Sequence, residues 1–126
     1  MYRQFCAEQY GPLRCRLIFS GAKPIDLCQY IGALAAGSDS PHLLFVDDEP
    51  ALRSLMAERL IERGFDVVEA ESGEEALQYL DQFAFDIVVT DLKMPGVDGT
   101  RVIDAARERY PGIVAIVITG YGTVKD

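Results

Sequence analysis

Cysteine, histidine and positive charge are all scarce in this chain, and each scarcity removes a class of function. The three cysteines, Cys6, Cys15 and Cys28, all fall in the first forty residues, without CxxC spacing, and His42 is the single histidine. That is neither a zinc-site pattern nor a disulfide framework, so the thiols read as structural. Basic side chains number 12 against 20 acidic ones, for a net charge of −8. The imbalance is uneven: residues 1–40 hold four basic and three acidic side chains, and residues 41–126 hold eight and seventeen. Direct nucleic-acid binding wants a basic face to neutralise phosphates, and this composition argues against it. Long apolar runs are missing too. None approaches the roughly 20 residues of a spanning helix, and Arg3, Glu8, Arg14 and Arg16 interrupt any secretory core at the amino terminus. The reading is a cytoplasmic protein with no membrane segment. At 126 residues and 49 % hydrophobic content, the chain has room for one domain with a buried core.

What is present is acidic and sharply placed. The stretch Phe85-Asp86-Ile87-Val88-Val89-Thr90-Asp91 runs a buried apolar strand into a carboxylate, followed by the turn residues Met94-Pro95-Gly96 and Asp98-Gly99. Leu43-Leu44-Phe45-Val46-Asp47-Asp48-Glu49-Pro50 does the same, with two carboxylates at the strand end. If the two strands are parallel neighbours, Asp47, Asp48 and Asp91 meet at one sheet edge. Clustered acidic oxygens at such an edge suit a hard divalent cation, and a carboxylate facing that cation can accept a phosphoryl group. Two carboxylates about 4 Å apart repel by roughly 4 kcal/mol at an effective dielectric of 20, so their pKa values should be raised until a cation arrives.

The rest of residues 41–126 alternates strand and helix. The strand over 43–46 leads to Pro50, which suits a first helical turn. A helix follows with Leu52, Leu55, Met56, Leu60 and Ile61 on one stripe and Gly64 as its stop. An edge strand spans 66–70. Ser72-Gly73-Glu74-Glu75 reads as a capping box for a helix that turns Ala76, Leu77 and Leu80 inward. After the strand over 85–90, Asp98 caps a third helix with Val102, Ile103 and Ala106 inward, ended by Tyr110-Pro111-Gly112. The β-branched run 113–118 is a strand covered on both faces. Four strands alternating with three helices give an α/β fold, a doubly wound parallel sheet with its ligand site beyond the strands' carboxyl ends. A stripe of Ile25, Cys28, Ile31 and Ala35 suggests a helix that Gly32 weakens, and 37–41 resembles a linker.

With these pieces in order, the chain resembles the response-regulator receiver domain of two-component signalling. The resemblance rests on Asp47-Asp48, on Asp91 with Met94-Pro95 and Asp98-Gly99 behind it, and on Thr119-Gly120 after the last strand. It implies a flavodoxin-like fold with strand order 2-1-3-4-5. It also implies that Asp91 is the phosphoacceptor, that Asp47, Asp48, Asp91 and the Lys93 backbone carbonyl hold Mg2+, and that Thr119 contacts the phosphoryl group. The expected partner is a histidine kinase or phosphotransfer protein, and the expected role is a signalling module, not an enzyme. Family members continue with a helix, a fifth strand bearing a lysine and an aromatic switch residue, and a last helix. This sequence stops at Asp126, and Lys125 lies too early to replace that lysine. The chain therefore reads as a receiver incomplete at its carboxyl end, impaired in phosphotransfer, with the strand over 113–118 an exposed edge that invites a dimer. Residues 1–40 match no pattern, and they read as a segment of unknown role, foreign to the domain or an extended start. Plainer readings exist: Asp47 and Asp48 as helix caps, Asp91 as a turn residue. A phosphatase of the haloacid-dehalogenase type needs a second aspartate where Lys93 stands. A pseudo-receiver that binds a partner without phosphorylation stays open.

Overall fold

The computed structural model describes residues 2–3, 15–19 and 40–118. The elements in chain order are β1 (Tyr2–Arg3), β2 (Cys15–Phe19), β3 (His42–Val46), α1 (Pro50–Glu62), β4 (Asp66–Ala70), α2 (Gly73–Gln82), β5 (Ile87–Asp91), α3 (Gly99–Arg109) and β6 (Val114–Ile118). They form one sheet in the order β1-β2-β6-β5-β3-β4. Strands β4, β3, β5, β6 and β2 are mutually parallel, and β1 pairs antiparallel with β2 at the edge.

The continuous apolar runs read from the sequence are buried on both faces, because a parallel sheet carries helices over each side. Leu44, Val46, Val88, Ala115 and Val117 pack with Ala76 and Leu80 of α2 and Val102, Ile103 and Ala106 of α3. On the opposite face Leu43, Phe45, Ile87, Val89 and Ile116 pack against Met56 and Leu60 of α1. Two details of the α1 stripe differ from expectation. Ala57 is buried, while Ile61 is 55 % exposed, since the contact arc of α1 is narrow and centres on Met56 and Leu60. The strand bounds shift slightly as well. Residues 85 and 86 precede β5, and Asp86 ties the strand starts together by donating its N–H to the His42 carbonyl at 2.8 Å.

Local signals hold. Pro50 opens α1, and Gly64 follows it at φ +97°, a left-handed turn that glycine adopts without strain. Asp98 caps α3 by accepting from the Arg101 N–H at 3.2 Å. At α2 the Ser72 Oγ accepts from the Glu75 N–H at 3.1 Å, and Glu75 Oε1 reaches back to the Glu71 N–H at 2.9 Å.

The expected exposed edge on the strand over 113–118 is a correction. β6 is flanked on its outer side by β2, with Cys15 opposite Ala115, Ile18 opposite Val117 and Phe19 opposite Ile118. The place that the fifth strand takes in the resemblance's order is filled from the amino-terminal segment, so the reason for expecting a dimer through that edge is gone. Sequence could not show this, because parallel strands far apart in the chain leave no local signal of their pairing. The stripe over 25–35 and the residues from Thr119 onward, including Lys125, lie outside the described residues.

Replacing Ser72 by Ala removes one acceptor of the α2 cap and should cost about 1 kcal/mol. That corresponds to a fall of roughly 3–6 °C in Tm. Calorimetry of Ser72→Ala beside Ser72→Thr, which keeps the hydroxyl, checks it.

Candidate functional site

Strand register brings the acidic side chains together. In the parallel ladder Val46 lies opposite Thr90, so the chain leaves β3 and β5 at the same level and delivers Asp47-Asp48 beside Asp91. Carboxylate oxygens of Asp47, Asp48 and Asp91 all lie within 4.8 Å of one another. Asp47 is buried, Asp91 half-buried and Asp48 exposed, so the cluster opens to water on one side.

Each member is held by backbone. The Asp47 N–H donates to the Ala70 carbonyl of β4 at 3.1 Å. Its carboxylate Oδ1 accepts from the Glu49 N–H at 2.9 Å, closing a short turn that starts the lead into α1. This is not a helix cap, since the cap position is Glu49 and no side chain bonds there. Arg53 adds a hold that the sequence reading missed: its Nη1 donates to the Asp47 carbonyl at 2.9 Å, and its Nε donates to Glu69 Oε1 of β4 at 3.3 Å. On the other strand, the Thr90 hydroxyl donates to the Asp91 carbonyl at 2.9 Å. The Leu92 N–H donates to the Ile118 carbonyl at 3.1 Å, and the Gly99 N–H donates to the Leu92 carbonyl at 2.9 Å. A Cβ at Gly99 would overlap the Asp91 carbonyl oxygen. The first residue of α3 must therefore be glycine for close approach, which the Asp98-Gly99 turn reading did not contain.

Electrostatics follow from that crowding. Burial raises the Asp47 carboxyl above its ordinary range; its bond from Glu49 opposes this, Asp48 and Glu49 add to it, and Arg53 opposes it. Asp91 is pushed up to about 7, first by burial and then by the charge on Asp47, with Asp48 adding; the N–H groups of Lys93 and Leu92 act in the other direction. Oxygens at 4.8 Å separation repel by about 3–4 kcal/mol per charged pair at an effective dielectric of 20. Three hard oxygen donors, open to solvent on one side and mutually repelling, fit a divalent cation of the magnesium type that keeps several waters. Lys93 is exposed beside the cluster. Thr119 lies outside the described residues.

The model of the response regulator receiver domain family matches residues 43–126. The chain belongs to that family. Receiver segments of longer proteins account for its similarities. It is 40% identical over 85 residues to the transcriptional regulatory protein GlrR of Escherichia coli K12, covering 68% of this chain and 19% of that protein. It is likewise 40% identical over 86 residues to the sensor kinase CckA of Brucella abortus, covering 67% of this chain and 9% of that protein. A response regulator receiver protein of Sinorhizobium medicae superposes with a TM-score of 0.63 at 32% identity, over 68% of this chain and 71% of that one. The chain thus spans less than a fifth of the length of these curated relatives. Among the described residues of this receiver domain, no helix is long and apolar enough to cross a membrane.

The raised Asp91 carboxyl has a stability consequence. In the unfolded chain Asp91 titrates near 3.8, and in the folded chain near 7. Between these values the native state holds the extra proton, so the group's contribution to stability falls as pH rises from about 4 to 7 and is level above. Asp91→Asn should remove this slope. In magnesium-free buffer its stability relative to the parent should grow by about 1–3 kcal/mol between pH 5 and pH 8, allowing for solvent screening of a half-buried group. Urea denaturation across that range measures the difference, and a constant difference would place the perturbed proton elsewhere.

Proposed function

We propose that this receiver domain accepts a phosphoryl group on Asp91 from a histidine kinase or phosphotransfer protein, with Mg2+ bound by Asp47, Asp48 and Asp91. The observation that supports it most is the gathering of these three carboxylates within 4.8 Å at the carboxyl edge of a parallel sheet, in a chain of the receiver family. Asp91 occupies the last position of β5, where its carboxylate meets the cluster and its backbone is fixed by Thr90, Leu92 and Gly99. The Lys93 carbonyl completes the donor set in this reading.

The chemistry is an in-line displacement. An Asp91 oxygen attacks the phosphorus of a phosphorylated imidazole, an O–P bond forms, and the P–N bond breaks. The electron pair stays on the imidazole nitrogen, which takes up a proton. When bound, the cation neutralises charge on the oxygens in flight. Asp47 and Asp48 orient that charge pattern, and Arg53 keeps the Asp47 backbone in place. The acyl phosphate brings about −1.5 to −2 charges to the sheet edge. Thr119, next in the chain after Ile118, is the hydroxyl assigned to donate to a phosphoryl oxygen, a local change that a following loop can report.

Incubation with Mg2+ and a small phosphodonor such as acetyl phosphate should add one phosphoryl mass, base-labile as an acyl phosphate is. Asp91→Asn should abolish the labelling; labelling that persists would place the acceptor elsewhere. Magnesium binding without any labelling of the parent would favour the interaction-module reading. By calorimetry, Asp47→Asn combined with Asp48→Asn should weaken Mg2+ binding by about tenfold to a hundredfold, since a charged contact is worth roughly 1.5–3 kcal/mol. Unchanged affinity would misplace the metal.

A further inference from the structure

One row of paired residues crosses the sheet at the level of the acidic site. Asp91 of β5 lies opposite Ile118 of β6, Ile118 opposite Phe19 of β2, and Phe19 opposite Tyr2 of β1. The next residue after Asp91 depends on this row, because the Leu92 N–H is received by the Ile118 carbonyl at 3.1 Å. Ile118 is the last residue of β6. Without a partner on its outer side, β6 would be an edge strand of five apolar residues with open backbone groups, and strand ends are where such edges fray first.

We propose that the amino-terminal strands belong to the receiver domain and act on its acidic site: β2 clamps the carboxyl end of β6, and β6 in turn fixes the Asp91-Leu92 corner. β1 backs β2 by pairing Tyr2 with Phe19 and Arg3 with Ile18. The segment is then neither foreign nor idle. Its docking sets how firmly the acceptor end of β5 is held, and its release would loosen that end without touching a carboxylate. The strand placement stands apart from the phosphoryl chemistry proposed above, and the test uses neither metal nor phosphodonor.

The register supplies the test, because Cys15 is the pairing partner of Ala115. Laterally paired residues sit about 4.7–4.9 Å apart, inside the Cα separation of about 4.4–6.8 Å that a disulfide spans. In the full chain with Cys6→Ser and Cys28→Ser, Ala115→Cys should form an intrachain disulfide with Cys15 when oxidised by diamide at low micromolar concentration. The readout is the monomer mass less two hydrogens, with both thiols protected from alkylation. A disulfide-linked dimer would mean that a second copy supplies the strand, and absence of any disulfide would mean that β2 does not dock; either overturns the proposal. Hydrogen exchange of the oxidised and reduced forms of this same protein then reads the coupling. Oxidation should slow exchange of the Leu92 amide at least threefold more than that of the Asp47 amide, which lies at the same sheet edge but is held by Ala70 of β4. Equal slowing of the two, or none at Leu92, would show general stabilisation without a clamp.

Discussion

Parallel register between β3 and β5 is the constraint on which the site depends. Because Val46 stands opposite Thr90, two carboxylates leaving one strand and one leaving the other arrive at the same height. Side chains alternate along a strand, so a slip of one residue would turn both apolar runs inside out as well as separating the acids. Core burial and site assembly are therefore secured by the same pairing. Leu43, Leu44, Phe45 and Val46 are fully buried immediately before Asp47, and that apolar anchorage is what holds mutually repelling charges together.

Around this register, the chain fixes backbone more than side chain. The Asp47 carbonyl is bonded by Arg53, its N–H by Ala70 and its carboxylate by the Glu49 N–H. The Asp91 carbonyl faces Thr90 on one side and the Cα of Gly99 on the other. Acidic oxygens held in this way cannot relax apart, and the strain appears as the raised carboxyls of Asp47 and Asp91. A site that repels itself when empty is responsive to a cation or to a change of charge on one member, which is the property a switch requires.

The amino-terminal strands change how the domain is bounded. A split at residue 40 follows from composition, since the charge balance shifts there and Gly37-Ser38-Asp39-Ser40-Pro41 has the look of a linker. The sheet crosses that split, taking β2 alongside β6 and β1 beyond it. Composition records solubility and charge, whereas a sheet is closed by hydrogen bonds between backbones whose sequence says little about the partner.

What the sequence determined by itself was local or periodic. Apolar runs ending in acids named Asp47, Asp48 and Asp91, because burial demands the first and a hydrated carboxylate ends it. Gly64, Ser72 and Asp98 marked helix ends, because orphaned backbone groups need those residues. The tertiary structure alone decided which strands are neighbours, that Arg53 reaches the Asp47 carbonyl, that Gly99 must lack a Cβ because Asp91 lies against it, and that β2 covers β6. Those features join residues distant in the chain through backbone hydrogen bonds and close packing, and neither leaves a periodic trace in the sequence.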